Sequence, residues 1–438
     1  MRQASFVLVL SLWGCSSSQS APGPSGPDAA LPAAEGGISD AALPDDGASL
    51  DGVGGPETSV HPGDSGVDAA PLTCSDGSPA LFDRRSCPGP ATPAPTSLVT
   101  AVSSATRGDI VSLGGFDEPT APCVPVLVCA PSGAATMIFS DDPESPSSDG
   151  VLYADVIGPG KIRVYVYHTN GGAGLRKFPV VLLNQGSVDV HAVIGPKGVA
   201  GPSTDYVGVG KAAILAWLGS VTPTSVTVPA GQRVLLDMDL DAVHAGTNEL
   251  AHAILDVALD GPVKLSVISL GATGDAVTAA AGLSVLANDG LHVRGTFPGA
   301  DLRIEASAPL DAASARRLRL GDGVTDVPLP GKDAVDGTAA TLGGNYGVVY
   351  DLRMSTTAGA AFVISPRGGA WGGAAQISAG QDAPAETLTP LPSSTSSLGA
   401  DTQAILVGRF AAGSAPQMRL MSAGGSNLGV DLLAVPLP

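Results

Sequence analysis

The sequence predicts a mostly β protein made of two tandem antiparallel β-sandwich domains with one short helix, preceded by a disordered tether. First, short apolar runs bounded by Gly, Pro, Asp and Ser recur from residue 96 to the end of the chain, as is typical of strands in sandwiches. Second, a stretch with two strand patterns, at 149–172, returns in a diluted form at 347–369. Third, residues 16–72 contain almost no large apolar side chain.

Composition indicates a protein with a substantial core and an acidic surface. The chain has 438 residues, of which 44% are hydrophobic, and its formal net charge is −19. An acidic protein of this kind repels phosphate backbones, so nucleic acid is not an expected partner. The sequence also lacks the basic cluster that anionic lipids attract.

The first fifteen residues resemble the leader of a bacterial lipoprotein. Arg2 precedes an apolar run at 6–13 that is too short to span a bilayer, and the run ends on Leu12-Trp13-Gly14-Cys15. This resemblance implies a signal peptide over 1–14 and a lipid-bearing thiol at Cys15, hence a membrane anchor at the outer membrane or cell surface. Trp13 departs from the lipobox, which prefers a small residue there, so an ordinary secretory leader remains the alternative.

Residues 15–72 are predicted to be an acidic tether rich in Pro, Ala and Gly, because they cannot bury enough apolar surface to offset ordering entropy. A small cysteine-bearing segment follows at 73–95. An even number of remaining cysteines in an exported chain predicts disulfides among Cys74, Cys87, Cys123 and Cys129. Three pairings can form, and we expect the local one, Cys74–Cys87 and Cys123–Cys129. A zinc site is disfavoured because no Cys-x2-Cys spacing is present.

The first sandwich domain is predicted over 96–272. A single helix is expected at 210–219, since Ile214, Trp217 and Leu218 share one face and Gly219 suits the C-cap. Residues 249–259 fit a helix or a strand, and we predict a strand because 260–262 then form a turn into the next strand. Strands are predicted over the other apolar runs, at 97–102, 109–113, 124–129, 136–140, 150–153, 161–167, 178–184, 188–194 and 263–269.

A Gly/Ala-rich linker at 271–282 leads to the second predicted sandwich domain, at 283–438, with strands at 292–297, 302–306, 317–320, 346–364, 404–410, 417–421 and 430–435. The two repeated stretches align without gaps, at Gly150/Gly347, Val151/Val348, Tyr153/Tyr350, Val166/Val363, Gly171/Gly368 and Gly172/Gly369. We therefore predict that each forms two adjacent antiparallel strands at equivalent places in two superposable sandwiches.

Several short motifs, most of which contain glycine, occur here in one order, at 139–144, 150–153, 168–171, 201–203, 209–211, 292–298, 344–350 and 366–369. Together they resemble the ectodomain of a group of secreted bacterial proteins, which in some members lies beside a copper-amine-oxidase-like N-terminal stalk domain. The resemblance implies a surface or cell-envelope protein and carries no established activity. No stalk domain is recognisable in this chain.

Two groups of acidic residues are weak calcium candidates. On the strand predicted at 233–241, the side chains of Asp237, Asp239 and Asp241 would lie on one side. Because Ca²⁺ takes six to eight oxygens from several directions, one strand face supplies only part of a shell, and a solvated face is the preferred interpretation. A Gly-rich loop carries the second group, Asp322, Asp326, Asp333 and Asp336.

No other motif predicts a reaction. The histidines that follow the tether, His168, His191, His244, His252 and His292, show no spacing that brings two of them to one helix or strand face. Neither a nucleophile elbow, nor a His-Glu-x-x-His motif, nor a phosphate loop is present. We interpret Arg367 as a turn residue and Trp371 as a core anchor, with a ligand-facing patch as the alternative.

These observations predict a lipid-anchored cell-envelope protein with a non-catalytic binding or structural role. Its expected partners are the membrane, through the lipid anchor, and a surface protein or glycan. No cofactor is expected unless the acidic groups hold Ca²⁺, and no catalytic residue is assigned. The alternative is an exported metal-dependent enzyme or hydrolase of envelope or extracellular polymers, which convergence of three or more of the Asp and His side chains would favour.

Overall fold

The computed structural model describes residues 72–78, 80–84, 92–378 and 387–438. The predicted leader, Cys15, almost all of the tether and Cys87 lie outside the described residues. Among those that are described, no helix combines the length and the apolar content needed to cross a bilayer.

Strands dominate the described chain, which confirms the predicted mostly β class. They are β1 (Ala80–Arg84), β2 (Ile110–Ser112), β3 (Val126–Cys129), β4 (Thr136–Ser140), β5 (Gly150–Ile157), β6 (Gly160–Thr169), β7 (Arg176–Lys177), β8 (Val180–Leu183), β9 (Val190–Ser203), β10 (Thr224–Val228), β11 (Arg233–Leu235), β12 (Leu250–Leu259), β13 (Val263–Gly271), β14 (Arg294–Phe297), β15 (Asp301–Ala306), β16 (Arg316–Leu320), β17 (Leu329–Lys332), β18 (Ala339–Leu342), β19 (Val349–Arg353), β20 (Gly359–Pro366), β21 (Gly373–Ser378), β22 (Thr387–Leu391), β23 (Gln403–Phe410), β24 (Gln417–Ser422) and β25 (Val430–Leu437). The α-helices are α1 (Thr96–Ser104), α2 (Tyr206–Gly219), α3 (Met238–Asp241) and α4 (Ala276–Ala279).

A first sandwich packs an eight-stranded sheet, in the order β10-β9-β12-β6-β4-β14-β17-β18, on a five-stranded sheet, in the order β11-β8-β13-β5 with β7 also paired to β13. Its core follows from period-two alternation along the strands. On β6, the side chains of Ile162, Val164 and Val166 enter this core, where they join Leu265 and Val267 of β13.

A second sandwich packs a seven-stranded sheet, β1-β3-β15-β19-β24-β21-β22, on another five-stranded sheet, β16-β25-β20-β23-β2. Phe362 and Ile364 of β20 meet Tyr350 and Leu352 of β19 in the core between them. The same apolar cluster continues through Trp217 of α2 and the outer face of the first sandwich. The two sandwiches therefore share a continuous apolar interface.

Both sandwiches contain strands from both halves of the chain. β2 and β3, near the N-terminal end of the described chain, belong to the sheets of the second sandwich, whereas β14, β17 and β18 extend the large sheet of the first. The predicted boundaries, 96–272 and 283–438, therefore do not separate the two sandwiches. A short apolar run identifies a strand but carries no information about the distant strand that it pairs with.

The repeated stretches form strands in both places, but the predicted hydrogen-bonded pairs are wrong. β5 pairs with β13, while β6 pairs with β12 and β4 in the facing sheet. In the same way, β19 and β20 belong to the two facing sheets of the second sandwich. The chain crosses between sheets at each turn, which the local pattern does not distinguish from a hairpin.

The predicted helix at 210–219 is confirmed within α2, which begins four residues earlier because the Asp205 carboxylate accepts a hydrogen bond from the Gly208 N–H and caps it. The predicted strand at 249–259 is confirmed as β12. The predicted strand at 97–102 is wrong, since this run forms α1, with Leu98 and Val102 packed one turn apart against the outer face of a five-stranded sheet. The predicted linker contains α4, capped by Asp275.

A disulfide joins Cys74 to Cys129, with their Cα atoms 6.3 Å apart. The expected local pairing is therefore wrong. β1 folds back antiparallel to β3, and this pairing places the N-terminal segment beside Cys129. Cys123 is also disulfide-bonded.

Candidate binding cleft

Strand β6 carries the candidate site on the face that turns away from the first core. Between the buried Ile162, Val164 and Val166, the alternating positions are Lys161, Arg163, Tyr165 and Tyr167. Tyr165 and Tyr167 belong to the apolar cluster at the interface of the two sandwiches. The alternation thus directs a row of large polar-tipped side chains to the junction between them.

A cleft of about 260 Å³ lies over the end of β6. We call it the acidic tyrosine cleft, because aromatic rings form its walls and carboxyl groups lie at one side. Its lining residues are Phe139, Asp141, Glu144, Tyr165, Tyr167, Tyr206, His292, Tyr346, Gly424, Gly425, Ser426 and Asn427. They come from the end of β4, from β6, from the start of α2 and from loops of the second sandwich.

The loop at 424–425 lies directly on the tyrosine rings. A Cβ atom at Gly424 would lie 2.5 Å from Cε2 of Tyr167 and 2.7 Å from the hydroxyl oxygen of Tyr165. Only glycine fits at this position without displacing the rings. The close approach gives the cleft its shape.

Stacking and hydrogen bonds position the tyrosine rings of the cleft, and burial keeps their hydroxyl groups neutral. Tyr165 stacks on Phe139 with ring centroids 4.7 Å apart. Tyr346 donates a hydrogen bond of 2.5 Å to the Ser426 carbonyl oxygen, and Tyr206 donates one of 2.9 Å to the Asn248 carbonyl oxygen. Burial raises the pKa of Tyr346 to about 12 and raises that of Tyr167 further.

Asp141 is the most perturbed carboxyl group in the cleft. Burial raises its pKa well above the ordinary value, and the nearby charges of Glu144, Asp289 and Asp142 raise it further. Its Oδ1 atom is buried without a hydrogen-bond partner in the described structure. Since buried polar atoms are nearly always paired, this oxygen lacks the partner that such an atom normally has.

A second carboxyl group, Glu144, is tied to a histidine. Nε2 of His292 lies 2.5 Å from Oε2 of Glu144, and Nδ1 lies 2.7 Å from Oδ2 of Asp289. Burial opposes ionisation of Asp289, but N–H groups of His292, Glu144 and Leu291 outweigh it and lower its pKa. Burial raises the pKa of Glu144, opposed by the His292 charge. The chain Asp289–His292–Glu144 therefore orients one carboxyl group at the edge of the cleft.

The first predicted calcium group does not form a site. Asp237 is the N-cap of α3 rather than part of a strand, so the prediction of one shared strand face is wrong. Nζ of Lys197 lies 2.7 Å from Asp237 and 2.6 Å from Asp239, and Lys177 lies 2.7 Å from Asp241. Two lysines thus occupy these carboxylates as ion-pair partners.

The second predicted calcium group is divided between two structural roles. Asp322 accepts hydrogen bonds from the N–H groups of 324–326, and Asp326 accepts from Gly321 and the Tyr350 hydroxyl. Asp333 and Asp336 instead pair with Arg294, at 2.9 and 3.1 Å. Within the described ranges, no group of three or more His, Cys, Asp or Glu side chains has an arrangement that could hold a metal ion.

The predicted histidines are dispersed. His168 is buried, with Nε2 2.9 Å from the Ser140 hydroxyl and Nδ1 2.9 Å from the Pro143 carbonyl oxygen. Burial lowers its pKa to about 3 and that of His252 to about 4. His191 pairs with exposed Asp260, and His244 is exposed. Only His292 lines the cleft.

Arg367 and Trp371 have the structural roles that we preferred. Nη1 of Arg367 lies 2.7 Å from Oε1 of the buried Glu118. Trp371 is fully buried, and its indole N–H donates to the Ser422 hydroxyl. Neither residue lines the cleft.

The sequence pattern did not single out Asp141, Glu144, Tyr206 or Tyr346 as site residues. One local signal was present, namely three acids within 141–144 immediately after the apolar strand β4. Acids at the end of a buried strand are placed at a sheet edge, where they can line a cleft. Tyr346 and the loop at 424–427 reach the cleft only through tertiary packing.

Comparisons with known proteins give weak structural likenesses only. No family model matches the chain, and no curated protein sequence matches it. A Lactobacillus farciminis oxalate decarboxylase formate complex is 9% identical, with a TM-score of 0.13, over 69% of this chain and 86% of that one. Streptomyces albus HEPD with 2-hydroxyethylphosphonate and Fe(II) bound is 10% identical, with a TM-score of 0.10, over 77% of this chain and 75% of that one. Similarities this low support no assignment of fold or ligand.

Proposed function

We propose that this protein is a lipid-anchored cell-envelope protein that binds a surface glycan, without catalysis, in the acidic tyrosine cleft. The leader pattern ending on Cys15 and the acidic composition of the predicted tether support the anchoring. The observation that carries the binding role is the buried Oδ1 of Asp141, which has no partner in the described structure and belongs to a cleft walled by tyrosine rings.

Carbohydrate fits this combination of groups. A sugar ring has an apolar C–H face, which packs on aromatic rings such as Tyr167, and a rim of hydroxyls that need hydrogen-bond partners. A ligand hydroxyl would satisfy Asp141, whose unpaired state is costly. The cleft, at about 260 Å³, lies below the roughly 300–1,000 Å³ typical of sites for drug-sized ligands. That size suits one sugar unit of a longer chain.

A glycan array followed by titration of the purified full-length protein tests the proposal. Asp141→Ala and Tyr167→Ala should each weaken binding of the selected glycan at least tenfold, whereas Asp401→Asn, an exposed carboxylate outside the cleft, should leave it unchanged. If the array finds no glycan, or if both cleft variants bind as the native protein does, the proposal fails.

A second function, hydrolysis of an extracellular polymer, is favoured by one specific observation. The pKa values of two neighbouring carboxyl groups, Asp141 and Glu144, are both raised, and a glycosidase acid needs a raised pKa. Asp141→Asn separates the two functions, because asparagine still offers a donor and an acceptor but cannot transfer a proton. Binding alone predicts that this variant keeps its affinity and that the native protein releases no reducing ends. Release of reducing ends that Asp141→Asn abolishes would establish the hydrolase instead.

A further inference from the structure

The other end of the outward face of β6 lines a second cavity. It has a volume of about 450 Å³ and shares no lining residue with the acidic tyrosine cleft. Four basic side chains line it, Lys161, Arg163, Arg303 and Arg419, together with three carboxylates, Asp256, Asp301 and Asp351. We call it the arginine cavity.

The carboxylates of this cavity are already paired. Arg163 is buried, and its Nε and Nη2 atoms lie 2.7 and 2.9 Å from Asp256 and Asp301. Its Nη1 donates to the carbonyl oxygens of Ala300 and Gly347. Asp351 lies 3.2 Å from Arg353 and accepts a 2.7 Å hydrogen bond from Gln417. The ion pairs leave no carboxylate free for Arg419.

Arg419 differs from the other arginines of the cavity. Among the residues that the structure describes, it has no carboxylate partner within 4.0 Å. Its Nη1 donates a 3.1 Å hydrogen bond to the Gln376 side chain, and its Cζ lies 5.5 Å from the ring centre of Trp217. Trp217 also lies 4.8 Å from the Cζ of Arg163. Burial and the charge of Arg163 lower the pKa of Arg419 more than the carboxylates of Asp301, Asp351 and Asp256 raise it. This guanidinium is close to carboxylates but forms no direct ion pair with them.

We propose that the arginine cavity binds a small organic monocarboxylate, with Arg419 as its principal ligand and Lys161 at the rim. A guanidinium offers a planar fork of N–H groups that matches a carboxylate. Arg303 is already paired with Asp76 and Glu305, which lie outside the cavity lining. Arg419 is therefore, among the described residues, the guanidinium of the cavity without an ion-pair partner, and a monoanion would supply one. A dianion such as phosphate would bring a second negative charge, for which the cavity offers no further unpaired guanidinium. Leu302, Val349, Val193 and Pro196 line the rest of the cavity and supply apolar contacts for the organic part.

The proposal concerns a site separate from the glycan cleft and does not depend on it. The test uses the purified full-length protein and isothermal titration with benzoate, with benzamide as an uncharged molecule of nearly the same shape, and with inorganic phosphate. Benzoate should bind saturably, while benzamide and phosphate should bind at least tenfold more weakly.

Three variants, each of which loses one positive charge, test where benzoate binds. Arg419→Gln should weaken benzoate binding at least tenfold, whereas Arg409→Gln, on an exposed side chain outside the cavity, should not change it. Lys161→Gln, an exposed residue at the rim, should weaken binding severalfold and serves as the variant if Arg419→Gln fails to fold. Equal affinities for benzoate and benzamide, tighter binding of phosphate, or unchanged benzoate affinity in whichever of these cavity variants folds would overturn the proposal.

Discussion

The carboxyl group of Asp141 is paired differently from that of its neighbour in sequence, Asp142. Asp142 accepts a hydrogen bond from the Asp289 N–H, whereas Oδ1 of Asp141 is buried and unpaired. Its protonated form is favoured by burial and by the charges of Glu144, Asp289 and Asp142. Buried groups that lower the stability of a protein are found mainly at functional sites, which is why we propose a binding role for Asp141.

The raised pKa of Asp141 predicts a pH-dependent effect of Asp141→Asn. The folded state binds the proton more tightly than the unfolded state, so the native carboxyl lowers stability as pH rises above its unfolded value of about 4. Asp141→Asn should therefore raise the melting temperature at pH 7, with a gain that shrinks toward pH 4. Thermal denaturation at several pH values measures this, with Asp401→Asn as the control. A gain that does not depend on pH would contradict the assignment.

Gly424 predicts a packing effect at the cleft. A methyl group there would meet Tyr167 and Tyr165 at 2.5 and 2.7 Å, and such overpacking costs about 1–3 kcal/mol. Gly424→Ala should lower the free energy of unfolding by that amount and weaken glycan binding, whereas Gly158→Ala, with no atom within 4 Å, should be nearly neutral. Chemical denaturation measures both variants, and equal stabilities would show that the loop does not rest on the rings.

Local sequence pattern was sufficient to predict two of the secondary-structure elements correctly. The apolar face of 210–219 predicted α2, and the turn at 260–262 correctly decided β12 in favour of a strand. In contrast, the run at 97–102 was predicted as a strand but forms α1. Its side chains Leu98 and Val102 pack on a sheet face that is assembled from distant parts of the chain, so the local sequence does not reveal it. The turn at 158–160 similarly leads from one sheet to the other.

The Cys74–Cys129 disulfide predicts a measurable constraint on the N-terminal segment. It closes a separation of 55 residues, which corresponds to roughly 4 kcal/mol in the chain-entropy description. The double variant Cys74→Ser/Cys129→Ser should lose stability of this order in chemical denaturation. Peptide mapping of the native protein without reduction should recover the Cys74–Cys129 pair, and recovery of Cys74 linked to Cys87 would contradict the structure.

In the whole molecule, the order of strands along the chain does not follow the division into sandwiches. β3 pairs with β15, and β4 pairs with β14, so each sheet combines strands far apart in sequence. The sequence predicted strands and two sandwiches, but short apolar runs do not encode their distant partners. The acidic tyrosine cleft and the arginine cavity depend on that pairing, because each is assembled from both halves of the chain.

The proposed membrane anchor depends on Cys15. Cys15→Ala should release the protein from the membrane fraction, because the only predicted lipid attachment is lost. Fractionation of cells that express the native protein, Cys15→Ala and Cys123→Ala measures this, and only Cys15→Ala should become soluble. Cys15→Ala that sediments with membranes as the native protein does would contradict the lipid anchor.

Hydrogen exchange with and without the glycan selected by the array locates the ligand on the native protein. Binding in the acidic tyrosine cleft predicts protection of the backbone at 141–144, at the start of α2 and at 424–427, with no change in the exposed loop at 185–189. Amide exchange in these segments should slow because the bound glycan would contact them. Saturating glycan that protects other segments and leaves 141–144 and 424–427 unchanged would contradict a glycan site in this cleft.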